Sequence, residues 1–562
     1  MREALGESAT LDPFRGPGGM PTRAFAIVLV AALGLTGSAA TGRSGTPAPP
    51  TVRTQPTFFI SGHGWGHGVG MSQYGAYGYA QHGWTYDRIL KHYYTGTTIG
   101  KAPMTRVRVL LADKAKQVTI ASKLPFQVVD ATGSKHALDA GSYKIGPAYA
   151  YTDPTDPNAQ PVSLPYPLEF RPGATAVSLN GRGYRGSFRI LKVTSTTVRV
   201  VNVVDVDLYL RGVVPSEMPK GWVPEALKAQ AVAARSYALS RLHPSAAFDL
   251  YADTRDQVYL GIDHEAPATT TAVQATAGQV VLYKGKVATT YFFSTSGGRT
   301  ASPQDLNPAA PPVPYLVSVP DPYDSISPYH DWGPFRYTAQ KLGRGLKSRG
   351  KLMDVHTVAS PSGRVQSVLA TGSKGQAAAT GPQVRAALGL RSTWFEVGVL
   401  ALGAPAMPVT FGTPTALTGT ARGVTSVELQ QLDPTGNWKT VTQLTPRGGT
   451  IAPKVKPAQS SQFRLVADND IASDPVAVSV APTVRLHVPA VLTGFWGTVR
   501  PGLAGTTVTI QRQAGSAWRV VANVKTTAAG RFTLSRAVGP GTYRARVSAK
   551  GFAIGLSKPV TV

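Results

Sequence analysis

Between Val213 and Leu239 the chain reads VVPSEMPKGWVPEALKAQAVAARSYAL. From Pro224 onward Leu227, Ala231, Ala234 and Ala238 recur at helical spacing, and a proline in the first turn is tolerated because its missing N–H has no partner there anyway. The stretch therefore predicts a helix. Upstream, from Arg106 to Val204, short alternating runs such as RVRVLL, QVTIAS, SFRILKV and TVRVVNVV are separated by Gly, Pro and Asp turns, the pattern of a strand-rich layer. Downstream, a shorter helix is predicted over Thr269 to Ala277, and strands resume with QVVLYKGKVATTYFFS. The mixture is an α+β fold rich in strands.

Beyond about Gly403 the texture changes to short β runs with Gly, Pro and Thr turns. Two units of about 80 residues resemble each other there. Leu417-Thr418-Gly419 and Leu492-Thr493-Gly494 open them, Trp438 and Trp518 each precede an aromatic (Phe463, Tyr543) by 25 residues, and Asp474-Pro475-Val476 and Lys558-Pro559-Val560 close them. About seven potential strands per unit predict two tandem all-β sandwiches of immunoglobulin-like type, at 403–482 and 483–562. The tryptophans are expected to pack in the cores. At the other end, an apolar run from Ala24 to Leu35 followed by Ser38-Ala39-Ala40 has the layout of a secretory signal peptide over 20–40, with Met20 as an alternative start to Met1. The run is too short to span a bilayer permanently. A Pro/Thr-rich linker over 41–56 then leads into folded sequence at 57–402.

The 562 residues carry 57 Lys and Arg against 30 Asp and Glu, a formal charge of +27, so a polyanionic milieu is expected. The cations are scattered singly and no nucleic-acid module is legible, which argues against a nucleic-acid partner. An arginine-rich secreted protein without a charge-specific partner fits as well. With no cysteine, disulfides and thiolate metal sites are excluded.

Three stretches hold more chemistry than a core requires: GHGWGHGVGMSQYGA from Gly62 to Ala76, the Val213–Leu239 run, and YFFSTSGGRT from Tyr291 to Thr300. Glycine and histidine at this density serve metals, phosphates or sugars, so the first stretch alone is undecided. Glu217 stands in an apolar turn between Pro215 and Pro219. Burial there would raise its pKa toward the range of a general acid, and a structural helix-entry acid is the alternative.

Together with PYLVSVPDPYD (Pro314–Asp324) and GLRSTWF (Gly389–Phe395), these stretches resemble the SpoIID/LytB family of peptidoglycan-acting proteins, over about Thr57 to Val397. The resemblance implies binding to peptidoglycan glycan strands and, in the enzymatic branch, lytic transglycosylase cleavage between MurNAc and GlcNAc with Glu217 as catalytic acid. A non-catalytic wall-binding protein or amidase enhancer is the alternative, with anionic wall polymers or a wall amidase as further partners. The resemblance also implies a glycan cleft lined by His63, His67, Gln73 and Tyr74, by Gln230 and Arg235 as orienting groups, with a simple carboxylate pairing as the alternative for Arg235, and by Ser294, Ser296, Gly297 and Gly298, whose hydroxyls and N–H groups would meet sugar, although a plain tight turn accounts for the two glycines equally well. Asp205, Asp207 and Glu225 are read as strand-end, cap and first-turn acids. Some family members hold zinc through Cys and His. Here only His63 and His67, with Asp253, Asp256 or His243, are available, so no metal and no other cofactor is expected. The expected location is secreted and wall-associated.

One departure is positional. In typical members the Gly/His element comes last, after the LRSTWF-like stretch; here it comes first, as in a circular permutation, which requires the module's ends to be adjacent. Residues 62–94 should then pack beside 390–397.

Overall fold

The computed structural model describes residues 51–103, 105–489 and 494–562. The expected signal segment 20–40, most of the linker and the Leu492-Thr493 pair lie outside them. The fold is β-rich α+β.

Most of the predicted strands over 106–204 join Leu250–Tyr251 in one seven-stranded sheet ordered Leu250–Tyr251, Arg106–Ala115, Val198–Asp205, Ser187–Lys192, Leu168–Arg171, Phe126–Val129, Lys135–Leu138. A four-stranded sheet built on Val118–Ser122 shares its core, with Ile120 and Val177 packing in one cluster with Val128, Phe170 and Phe188. The chain leaves the large sheet at Asp205 directly into a helix, Val206–Glu217, whose first-turn acid is Asp207.

The next helix, Pro224–Ser240, is apolar almost all round, as a helix buried on every side must be. Ala231, Ala234 and Ala238 face the sheet core; Leu227, Ala229, Val232 and Ala233 face a second core. The second predicted helix is found over Pro267–Ala275. That second core is completed by the Gly/His element and two helices that sequence periodicity did not predict, Gln73–Gln81 and Tyr86–Tyr93.

The two ends of the module meet as expected. Strand Thr57–His63 pairs antiparallel with Phe395–Pro405, placing Ile60 opposite Val397 and Gly62 opposite Phe395. The His63 amide donates to the Trp394 carbonyl at 2.9 Å, and the Gly66 amide to Arg391 at 3.0 Å. Strand Phe395–Pro405 continues past 402 and pairs with Thr418–Arg422, so Phe59, Leu400 and Leu402 share a core with Leu417, Leu429 and Phe463. The module and the first β unit are therefore joined through one strand.

The last unit places strands of a three-stranded and a five-stranded sheet around Val484, Phe495, Ile510, Phe532 and Tyr543. Phe463 and Tyr543 are buried, but their tryptophan partners are outside the two cores, contrary to expectation. Trp438 lies under the Arg464 guanidinium at 4.3 Å and Trp518 under Arg544 at 4.2 Å. Each arginine's Nε donates to a glutamine on the neighbouring strand, Gln430 at 3.0 Å and Gln511 at 2.9 Å. The repeat thus preserves a Gln–Arg–Trp ladder outside the cores, where an indole can stack on a cation. Trp438→Ala is expected to cost about 1 kcal/mol, the scale of a half-exposed cation–π pair, measured as a shift in the denaturant midpoint.

Candidate functional site

Glu217 is the last residue of helix Val206–Glu217, which corrects its placement in a turn before a helix. One carboxylate oxygen accepts the Val258 amide at 2.7 Å. Burial raises its pKa to about 7, opposed by that hydrogen bond. The negative end of the helix acts in the same direction as burial.

The loop that supplies Val258 is fixed from both sides. Asp256 accepts from the Tyr237 hydroxyl at 2.7 Å and the Tyr251 amide at 2.8 Å. Gln257, fully buried, accepts from the Tyr209 hydroxyl at 3.1 Å and donates to the Ala234 carbonyl at 3.2 Å. Sequence reading missed this support; its only trace is the polar Asp256-Gln257 pair between the aromatic residues Tyr251 and Tyr259.

The glycine backbone of the Gly/His element packs against Tyr291–Ser296. Gly64, Gly66, Gly68 and Gly70 all have positive φ, and a Cβ on Gly64 or Gly70 would meet the Thr295 or Tyr291 carbonyl at 2.6 and 2.0 Å. The glycines therefore serve backbone packing. Trp65 and Thr295 exchange amide hydrogen bonds at 2.8 and 3.0 Å.

His67 is corrected from a sugar contact to a strut. Its Nδ1 accepts from the Val69 amide, so Nε2 carries the proton and donates to the Phe292 carbonyl, both at 3.1 Å. No ring nitrogen is left. Burial, with the charge of Arg385, lowers its pKa to about 4. The unfolded imidazole takes a proton below about 6.5 and the folded one only near 4, so this group's stabilising contribution is full above pH 6.5 and is lost as pH falls through that window. The melting-temperature gap between wild type and His67→Gln should accordingly narrow from pH 7 to pH 4.

His63 is half-exposed, its Nδ1 2.5 Å from Asp331 and its ring 4.9 Å from Trp394. Tyr74 packs edge-on to Trp222 at 4.9 Å, and Tyr77 stacks on the same indole at 4.5 Å. This partly exposed cluster joins the Gly/His element to the segment just after Glu217. Gln73 and Gln230 are buried; the Gln73 amide nitrogen and both amide atoms of Gln230 have no hydrogen-bond partner among the described residues.

Arg235 takes the second of its two readings, pairing with a carboxylate. It is fully buried, with Nε on Asp207 at 2.7 Å and its two other nitrogens on the Gln279 and Val273 carbonyls at 3.0 and 3.2 Å. It holds the two helices together. Glu225 keeps its structural role, accepting from the Tyr86 amide and from Lys228.

The Ser294–Gly298 loop is organised from beneath. Asp324, fully buried, accepts from Ser72 Oγ at 2.6 Å, the Ser296 and Gly297 amides at 2.9 Å each, and pairs with His330 at 3.1 Å. Gly298 donates to Ser296 Oγ at 3.1 Å. The N–H groups of Ser296, Gly297 and Gly298 are thus occupied internally and not turned to sugar; Ser294 alone of this set is half-exposed outside that network. Beside Asp324, Asp321 accepts from the Tyr93 hydroxyl at 2.8 Å, and burial together with the Asp324 charge raises its pKa to about 7. The acids of PDPYD, quoted in the sequence only for resemblance, are the hub of this cluster. Among the described residues no three His, Asp or Glu side chains converge as a metal site requires.

Comparison with known proteins follows the acid. Residues 194–283 match the family described as Stage II sporulation protein, SpoIID. The chain is 41% identical over 145 residues to an uncharacterized protein of Brachyspira hyodysenteriae, covering 25% of this chain and 39% of that one. It is 34% identical over 224 residues to Stage II sporulation protein D of Bacillus amyloliquefaciens, covering 36% and 63%. It is 37% identical over 115 residues to an amidase enhancer of Bacillus subtilis, covering 20% and 15%. The chain therefore spans less than two thirds of the length of each of these relatives. Among solved structures, a two-domain fibronectin type III segment of chicken tenascin aligns with 28% of this chain and 93% of its own at 18% identity and a TM-score of 0.20.

Proposed function

The chain belongs to the SpoIID/LytB family, and from that premise we propose that it is an exported, wall-associated lytic transglycosylase that cleaves peptidoglycan glycan strands at MurNAc–GlcNAc bonds. The observation that carries this reading is the Glu217 carboxyl, held by the Val258 amide at a helix end with a pKa near 7. A carboxyl of that pKa is protonated enough to act as acid and basic enough to act as base near neutrality.

In the proposed step Glu217 protonates the glycosidic oxygen as the C1–O bond breaks. Its carboxylate then takes the proton from the MurNAc C6 hydroxyl as that oxygen bonds to C1. A 1,6-anhydro ring forms, the GlcNAc end leaves as an alcohol, and Glu217 ends protonated. Intramolecular attack supplies the proximity advantage, so one carboxyl suffices where hydrolysis needs two. The nearby acid Asp256 is engaged by Tyr237 and Tyr251, in keeping with a single working carboxyl. The step needs no metal or other cofactor. Tyr74, Tyr77, Trp222, His63 and Ser294 are the partly exposed groups proposed to contact glycan. The C-terminal units we read as immunoglobulin-like sandwiches, and the order of the module as a circular permutation.

A non-catalytic amidase-enhancer reading draws support from the internal engagement of His67, Arg235, Ser296 and Gly297. Digestion of purified sacculi decides between the two. Products ending in 1,6-anhydroMurNAc are expected; their absence overturns the enzymatic reading and leaves the binding one.

A further inference from the structure

After Asp474 the chain has no aspartate or glutamate, and residues 483–562 carry eight arginines and three lysines. The preceding unit, with the same Gln–Arg–Trp ladder, has six cations and five acids over residues 403–482. The fold of the repeat therefore does not demand the charge. Among the described residues no cation of the last unit is in an ion pair.

Several are nonetheless held in place by neutral groups. Arg544 is fixed by Gln511 and the Trp518 ring, Arg536 donates to the Val521 carbonyl at 2.6 Å, and Arg512 donates to the Pro540 carbonyl. The strand register sets Arg512 directly opposite Arg519, an arrangement that repels unless an anion lies between or beside the pair. Arg544 and Arg546 share one face of strand Thr542–Val547, about 7 Å apart by strand geometry. Their mutual repulsion lowers the Arg544 pKa, after burial. The result is a set of positioned, unneutralised cations on both faces of this sheet: Arg544 and Arg546 stand on the face of Gln511 and Thr509, and the Arg512–Arg519 pair on the other, where Arg512 is opposite Tyr543.

We propose that this last β unit docks a flexible phosphodiester-linked polyanion without bases, of the poly(glycerol phosphate) type. A three-carbon spacer between phosphates repeats on the scale of the Arg544–Arg546 spacing. Single-stranded nucleic acid fits less well, because its affinity comes in part from several open aromatic platforms; here Trp518 is covered by Arg544, and Trp496, stacked on His487 at 4.2 Å, is the exposed indole of this unit at 46%.

The test uses the full chain and fluorescently labelled poly(glycerol phosphate), with anisotropy read across a salt series. Binding is expected to weaken linearly in log–log form with salt. The Arg512→Gln/Arg519→Gln/Arg546→Gln variant, which keeps the Trp518–Arg544–Gln511 ladder, should bind at least about 10-fold more weakly, with a salt slope smaller by roughly 2, at about 0.7 per phosphate contact for a single strand. A control, Lys439→Gln/Lys454→Gln/Lys456→Gln in the balanced unit, should bind as wild type. Unchanged melting temperatures establish that all three chains are folded. No binding by wild type at about 50 mM salt, equal losses in both variants, or tighter binding to a DNA single strand of equal charge or to phosphatidylglycerol vesicles overturns the proposal. The cleavage reading is scored separately, because the arginine variant should still release 1,6-anhydro products from sacculi.

Discussion

Glu217→Gln is expected to lower release of 1,6-anhydroMurNAc products by about 10²–10⁴-fold, the range for loss of a general acid–base group. Glutamine keeps the shape and can still accept the Val258 amide, so the fold should survive. The pH dependence has a definite sign. The folded carboxyl holds its proton to about pH 7, whereas an ordinary glutamate loses it near 4.5. Cleavage should therefore fall as pH rises above about 7. Stability contributed by this group is unaffected below about 4.5, declines between 4.5 and 7 as the unfolded chain alone releases its proton, and is flat beyond. At about 1.4 kcal/mol per pKa unit, Glu217→Gln should be more stable than wild type at pH 8 by up to about 3 kcal/mol, and this advantage should vanish at pH 4. Calorimetry of both proteins at the two pH values measures it. A variant that cleaves at the wild-type rate, or gains nothing at pH 8, would remove Glu217 from the mechanism.

Asp324→Ala should have the largest effect on the fold. The substitution strands Ser72 Oγ, two loop amides and the His330 ring in one buried place. Removing one partner from a buried charged network costs about 3–5 kcal/mol. The Ser294–Gly298 loop and the Gly/His element should loosen together, since Ser72 caps helix Gln73–Gln81 through its oxygen at 3.1 Å from the Gly75 amide. Hydrogen exchange at the Ser296 and Gly297 amides reads this directly. Protection equal to wild type, with a melting temperature shifted by less than about 1 kcal/mol equivalent, would show that the hub is not Asp324.

Local pattern made much of this architecture legible. The alternating runs over 106–204 became strands, the Pro224 helix began at its proline, and the resemblance between the two C-terminal stretches reappears as the same Gln–Arg–Trp ladder in each. The adjacency of residues 62–94 with 390–397, seen at 62–66 and 391–397, followed only from setting the chain's motif order against that of the family it resembles. The apolar setting of Glu217 was also legible, because two prolines and a methionine flank it, and the structure leaves the residue half-buried.

Partners at a distance were not legible. His67 and Arg235 are residue types that bind ligands, and nothing in their neighbours in sequence says that Phe292, Asp207, Val273 and Gln279 will occupy them. The glycines at 64 to 70 signalled close approach, but only the tertiary structure decides that what approaches is the Tyr291–Ser296 backbone. Asp324 has no role assigned from sequence; four donors from three separate stretches converge on it. The sequence by itself determined the strands over 106–204, the Pro224 helix and how charge is distributed, because propensity, periodicity and net charge are properties of neighbours or of sums; it did not show helices Gln73–Gln81 and Tyr86–Tyr93 or that Glu217 ends a helix. Which polar groups remain free to meet a ligand was decided by the fold alone, since a hydrogen bond between residues more than two hundred positions apart leaves no mark on either one.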